Sequence, residues 1–186
     1  TKSSTGDLVT EADLASEQAI LKIIKAELPE HGVLAEESGP NEQNSDYLWA
    51  IDPLDGTLNY AHEVPFFCVS IGLLFQGKPV LGVVYAPRLQ ELFTGIPGQG
   101  AFLNQEPIKV SEVSELKQAF LATGFPYRRA ELKDNNYREF MHFADRSQDI
   151  RRPGSAALDL SYVACGRFDG FWERDLNPWD VTAGAA

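Results

Sequence analysis

The apolar and polar positions divide the chain into a helical lead, a strand-rich middle and a mixed final third. Ile20, Leu21, Ile24 and Leu28 recur at three- and four-residue spacings with charges between them, which predicts an amphipathic helix. Thr10, followed three residues on by Asp13, fits a capping box at its start, and Pro29 and Gly32 end it. His31 to Leu34 then leads into Ala35-Glu36-Glu37-Ser38-Gly39, and a polar loop runs from Pro40 to Asp46. Leu48 to Ile51 is too short and too continuously apolar for a helix face and reads as a buried strand. Pro53 has no N–H to give to a ladder, so that strand is expected to stop there.

The middle third reads as an antiparallel meander. Phe66 to Phe75 is a long apolar run, Gln76-Gly77-Lys78-Pro79 a hairpin turn, and Val80 to Tyr85 the return, with short strands at Glu91 to Thr94 and Ala101 to Leu103. The glycines between Gly95 and Gly100 lack the strand, turn and helix order of a dinucleotide site, so they are read as turns. Ala119 to Thr123 is a further strand, and a helix is expected over 135–145. Arg151-Arg152-Pro153-Gly154-Ser155 opens another helix, with Ser155 as N-cap and Gly166 as its stop. Two arginines ahead of a helix start suit an anion. Phe168 to Trp172 is a strand ending on Glu173, and Trp179-Asp180 begins a last helix. The expected fold is α+β with an antiparallel central sheet, divided into an N-terminal portion over 1–124 and a second α/β portion over 125–186.

Composition narrows this picture only in places. A chain of 186 residues holds one substantial domain or a little more. A net charge of −11 argues against a nucleic-acid surface, where a basic patch is expected. Cys68 and Cys165 lie in apolar segments without metal-type spacing and read as buried free thiols of a reducing compartment. No run is long enough to span a membrane, and a cytoplasmic location is the expectation. The chain begins on Thr1 and stops at Ala186 inside a helix start, so both ends read as trimmed.

The candidate chemistry sits in Asp52-Pro53-Leu54-Asp55-Gly56-Thr57, where a buried strand ends on two acids. Such acids are costly unless a cation lies between them, and Mg²⁺ takes oxygen ligands that it shares with substrate phosphates. Backbone N–H groups at Gly56 and Thr57 suit an anion if a helix begins there. The competing reading is a polar turn. The same pattern of acids after an apolar segment returns at Glu36/Glu37 and at Glu173 with Asp180, which points to one convergent site. Asp13 is most simply a capping acid. His142 has no Cys or acid at ligand spacing and reads as a surface side chain.

The stretch Asp52 to Thr57 resembles the signature of the inositol monophosphatase family, lithium-sensitive, magnesium-dependent phosphatases. The resemblance extends over Lys2-Ser3-Ser4, Asp7 to Thr10, Asp13, Glu36-Glu37-Ser38, Gly154-Ser155-Ala156-Ala157, Trp179-Asp180 and Ala183-Gly184. It implies a layered α/β/α/β/α sugar-phosphatase-like fold and two or three Mg²⁺ ions. The ions would be held by Glu36, Asp52, Asp55, Asp180 and the Leu54 carbonyl, with Asp52 bridging. Asp13 and Thr57, with Glu36, would activate water, and this functional role replaces capping for Asp13. Gly56 and Thr57 would hold phosphate, while Gly154, Ala156 and Glu173, beside Asp55 and Asp180, would contact the substrate's hydroxyls. The resemblance also implies a homodimer, and related phosphatases act on fructose bisphosphate, phosphoadenosine phosphate or histidinol phosphate. A non-catalytic metal-binding module of the same fold is the alternative outside enzymes. The haloacid dehalogenase motif, Asp-x-Asp-Gly-Thr, does not fit, because Pro53 and Leu54 separate the acids here.

Overall fold

The computed structural model describes residues 9–41 and 43–186. Lys2-Ser3-Ser4 and Asp7-Leu8, singled out above, lie outside the described residues. Helix α1 (Glu11–Glu27) starts on the expected capping box: the Thr10 N–H donates to Asp13 Oδ2 at 2.8 Å and the Ala12 N–H to Thr10 Oγ1 at 3.2 Å. Its inner face is polar at the start and apolar further on. The Ser16 hydroxyl donates to the Pro53 carbonyl at 2.9 Å, and Glu17 accepts the Glu37 N–H at 2.9 Å. Beyond them Ile20, Leu21 and Ile24 close on Val33, Ala35 and Ile51. The helix is therefore oriented by hydrogen bonds at one end and fastened by apolar burial at the other.

Strands β1 (Gly32–Ala35), β2 (Gly39–Pro40), β3 (Tyr47–Asp55), β4 (Cys68–Phe75), β5 (Lys78–Ala86), β6 (Glu91–Ile96), β7 (Gly100–Leu103) and β8 (Glu106–Pro107) form one sheet in the order β2-β1-β3-β4-β5-β6-β7-β8. Every neighbouring pair is antiparallel except β1 and β3, which run parallel. Hence Ala35 lies beside Ile51, and both strands deliver their following acids at the same end of the sheet. The expectation that the central strand stops at Pro53 is corrected. β3 continues to Asp55, with an irregularity in register between Asp52 (opposite Ser70) and Asp55 (opposite Cys68). Pro53 falls in that bulge, where no ladder donor is needed. The loop expected from Pro40 begins instead with β2, an edge strand that tolerates proline.

The second sheet is parallel and has three strands in the order β10-β9-β11, comprising β9 (Phe120–Thr123), β10 (Asp149–Arg151) and β11 (Gly170–Trp172). It begins at Phe120, ahead of the division drawn after 124. Strand β10, just before the second arginine of the pair, was absent from the pattern reading. The connecting helices are α2 (Thr57–Ala61), α3 (Tyr137–Ala144), α4 (Ala156–Ala164) and α5 (Pro178–Val181). Helix α4 is buried along Ala156, Ala157 and Leu158 and joins Val84, Ala86 and Phe93 of the large sheet in one core cluster. The segment after α5 lies on that sheet so closely that a Cβ on Gly82 would stand 2.0 Å from the Ala183 carbonyl oxygen. Only glycine permits this approach. Cys68 is buried as expected, whereas Cys165 is half-buried, its Sγ 3.6 Å from the Tyr162 carbonyl; both are free thiols.

Candidate functional site

Glu36 follows β1, Asp52, Leu54 and Asp55 end β3, Gly56 and Thr57 start α2, Gly154 and Ala156 open α4, Glu173 follows β11, and Asp180 lies in α5. All ten of these expected site residues line a single cleft of about 550 Å³ between the two sheets' ends. Asp13 does not line it. It is fully buried behind Thr57, whose hydroxyl lies 3.1 Å from Asp13 Oδ1 and 3.0 Å from the Leu54 carbonyl. Thr10 bonds to Oδ2 of the same carboxylate through its backbone N–H and its hydroxyl. Asp13 thus caps α1 with one oxygen and meets Thr57 with the other.

Three of the lining acids are fixed to the scaffold by hydrogen bonds. The Leu54 N–H donates to Asp52 Oδ1 at 2.9 Å across the bulge. Asp55 Oδ2 accepts the Ser155 hydroxyl at 2.8 Å and the Ala157 N–H at 2.7 Å, at the start of α4. Asp180 Oδ2 accepts the Asn177 N–H at 2.6 Å in a capping box. Ser155 is the N-cap residue as expected, but its side chain makes no capping bond: its hydroxyl donates to Asp55, whose Oδ2 takes the Ala157 N–H in its place.

Gly56, at φ +94°, leads β3 into α2 in the left-handed region, and a Cβ there would stand 3.1 Å from the Phe66 carbonyl oxygen. Asn59, missed in the sequence reading, donates to the Phe66 carbonyl at 2.7 Å and the Pro153 carbonyl at 2.8 Å, tying α2 to the turn ahead of α4.

The acids repel one another. Burial, with Asp55, Glu36 and Asp180 nearby, holds Asp52 well above the usual carboxylate range, and a hydrogen bond with Glu36 adds to it. Burial raises Asp55 to about 6, against the pull of the Ala157 N–H and Ser155 hydroxyl. Asp180 and Glu173 each rise to about 7, chiefly through burial and then through neighbouring acids. A concentration of half-buried, mutually raised carboxylates beside a backbone carbonyl is a donor set suited to hard divalent cations. Among the described residues no three such side chains already form a closed ligand group. The fit therefore rests on donor type and charge.

A further acid escaped the sequence reading. Asp159 of α4 is 1% exposed, and neither carboxyl oxygen has a hydrogen-bond partner. Burial, with Asp55 and Glu173 close by, raises it to about 9. The signal was available: it is the one charge in the run Ala156 to Ala164.

Two sheets closing on an acid-lined cleft define a layered α/β fold with a polycarboxylate centre. The chain belongs to the inositol monophosphatase family, whose sequence model matches residues 1–186. It is 55% identical over 184 residues to the inositol-1-monophosphatase of Synechocystis, covering 98% of this chain and 64% of that protein. It is 45% identical over 184 residues to the Nus factor SuhB of Pseudomonas aeruginosa, covering 96% of this chain and 68% of that one. The solved inositol monophosphatase of Anabaena superposes with a TM-score of 0.92 at 59% identity, over 96% of this chain and 71% of that structure. The chain thus spans about two thirds of the length of these relatives.

Proposed function

We propose that this chain carries the catalytic centre of a magnesium-dependent phosphatase that hydrolyses inositol monophosphate by direct attack of water. The observation that carries the reading is the convergence of Glu36, Asp52, Asp55, Glu173 and Asp180 on one cleft beside the linked pair Thr57 and Asp13. Glu36, Asp52, Asp55, Asp180 and the Leu54 carbonyl would hold two or three Mg²⁺ ions, which would supply charge neutralisation and acidify water. Thr57 has one hydroxyl proton and two acceptors, Asp13 and the Leu54 carbonyl. Giving the proton to Asp13 leaves its lone pairs to accept one from the attacking water, with Glu36 assisting. The Gly56 and Thr57 N–H groups receive phosphate oxygens, which spreads the developing charge over fixed dipoles. Gly154 and Ala156 shape the floor under the polyol, and Glu173, with Asp55 and Asp180, accepts hydrogen bonds from its hydroxyls. No covalent intermediate is needed.

The same reading includes inhibition by lithium, a homodimer and a cytoplasmic location. No described helix is long and apolar enough to cross a membrane. A relative's name, Nus factor, raises a second reading in which the fold serves a partner without turnover. The Asp13–Thr57 contact at the edge of the acid-lined cleft favours catalysis. Related sugar or nucleotide monoesters are the alternative substrates. The test is phosphate release from inositol monophosphate with magnesium, with chelator and with added lithium. Magnesium-dependent turnover suppressed by lithium is expected; bound magnesium without turnover on any phosphomonoester overturns the proposal.

A further inference from the structure

Glu173 follows the end of β11, and both of its neighbours in sequence are engaged by the segment that opens α3. Trp172 donates its indole N–H to Asn136 Oδ1 at 2.6 Å and meets the Phe143 ring, with centroids 4.7 Å apart. Arg174 pairs with Asp134 and, at 3.0 Å, with Glu139. The Glu173 carboxyl lies against Gly124, so closely that a Cβ on that glycine would stand 2.0 Å from Glu173 Oε1. Where this carboxyl stands therefore depends on Gly124 beneath it and on Trp172 before it.

Asn136 ties those two residues together. It is fully buried and does not line the cleft. Its Nδ2 donates to Thr123 Oγ1 at 2.8 Å and to the Gly124 carbonyl at 2.6 Å, while its Oδ1 accepts the Trp172 indole. Thr123 in turn donates its hydroxyl to the Trp172 carbonyl at 2.7 Å. The amide has one orientation, since a flip would set its NH₂ against the indole N–H and its oxygen against the Gly124 carbonyl. Asn136 occupies the N-cap position of α3, yet its side chain makes no capping bond; all of its bonds go to β9, to the residue after it and to β11. Its backbone lies in the left-handed region at φ +71°, a conformation that asparagine tolerates better than most residues with a Cβ. A side chain diverted from its own helix and carried on such a backbone is set by what it holds in place.

We propose that Asn136 is a positioning residue for substrate recognition. By joining Gly124 to Trp172 it fixes where the Glu173 carboxyl stands, and so sets the affinity for the substrate's hydroxyls, without touching the substrate or the metal-binding acids. The inference rests on the phosphatase reading above but concerns binding of the polyol and not the chemical step, so the two can fail separately.

The test compares inositol monophosphate with 4-nitrophenyl phosphate, which has no polyol hydroxyls for Glu173 to meet, on the full chain with magnesium. Asn136→Gly accepts the positive φ and removes the network. KM for inositol monophosphate is expected to rise about tenfold while kcat stays within about twofold, and both constants for the nitrophenyl ester stay near wild type. Magnesium affinity, read from isothermal titration, is expected to be unchanged. In a Glu173→Ala background the same substitution is expected to add nothing, because the carboxyl it positions is gone. Should Asn136→Gly fail to fold, Thr123→Val removes the shared hydroxyl at nearly constant shape and is expected to give the same KM shift, which Thr123→Ser, retaining the hydroxyl, reverses. Parallel losses on the two esters, or additive effects of Asn136→Gly and Glu173→Ala, overturn the positioning role. If the wild type turns over neither ester, the phosphatase reading falls and calorimetric binding of inositol monophosphate decides the matter: affinity about tenfold weaker in Asn136→Gly upholds the role, and equal affinity overturns it.

Discussion

The acids lining the cleft and the lone carboxyl of Asp159 lie near enough to perturb one another, yet the fold treats them in opposite ways. Asp55 and Asp180 each give one oxygen to scaffold donors, and their carboxyls rise only to about 6 and about 7. Asp159 has no donor at all and rises to about 9. Burial acts on all of them; hydrogen bonds decide the difference. For Asp55 and Asp180, bonds to one oxygen offset part of what burial costs; Asp159 has no such offset. The α4 start and the Asn177 cap supply that offset to Asp55 and Asp180, on top of a burial that raises all of these acids.

The sharpest break in the comparison is Asp52→Asn, which removes a charge from the supported set at its most crowded point. Turnover is expected to fall by about 100-fold or more, with weakened magnesium dependence; near-normal turnover in a magnesium titration would refute the assignment. Next comes Asp13→Asn, which leaves the lining carboxylates untouched. It is expected to lower kcat about 100-fold while magnesium affinity stays close to wild type. Weakened magnesium affinity at unchanged kcat would reverse that role.

Ser155→Ala tests the support itself, by removing one of two named donors to Asp55 Oδ2. Loss of such an outer contact is expected to weaken magnesium affinity about tenfold, read from isothermal titration. The smallest effect on the cleft, and the clearest on stability, belongs to Asp159→Asn. A carboxyl raised in the folded state binds its proton more tightly than in the unfolded chain, so wild-type stability declines as pH climbs from about 4, its ordinary value, toward about 9. The Asn variant lacks that slope. It should match wild type near pH 4 and exceed it by on the order of 5 kcal/mol at pH 8. Parallel denaturation curves across that range would show that Asp159 is not the buried neutral acid described.

How much of this was written along the chain differs from residue to residue. The helix over Glu11–Glu27 with its cap, the meander, and the acids after apolar runs followed from spacing and composition, since periodicity and capping chemistry are local. Glu36 and Asp52 were individually legible as acids after strands. Their meeting required the parallel pairing of β1 with β3, a contact between segments 16 residues apart in register, Gly32 beside Leu48. Asp13 was ambiguous because a capping acid and a catalytic acid look alike in sequence; only the fold places Thr57 at its second oxygen.

Three features were settled by tertiary structure alone. Pro53 marks a strand end by its own chemistry, but the sheet absorbs it in a bulge, because β4 supplies the register on either side. Ser155 has the profile of a cap, but the carboxylate of Asp55, 100 residues earlier, is the stronger acceptor. Arg151 and Arg152 are equivalent by position in the sequence, and the fold assigns one to Asp149 and the other to the cleft. Local rules determined which residues carry charge and where elements begin. Which charges share a space, and which oxygen of each is left for a ligand, depends on contacts between distant segments that no local pattern encodes.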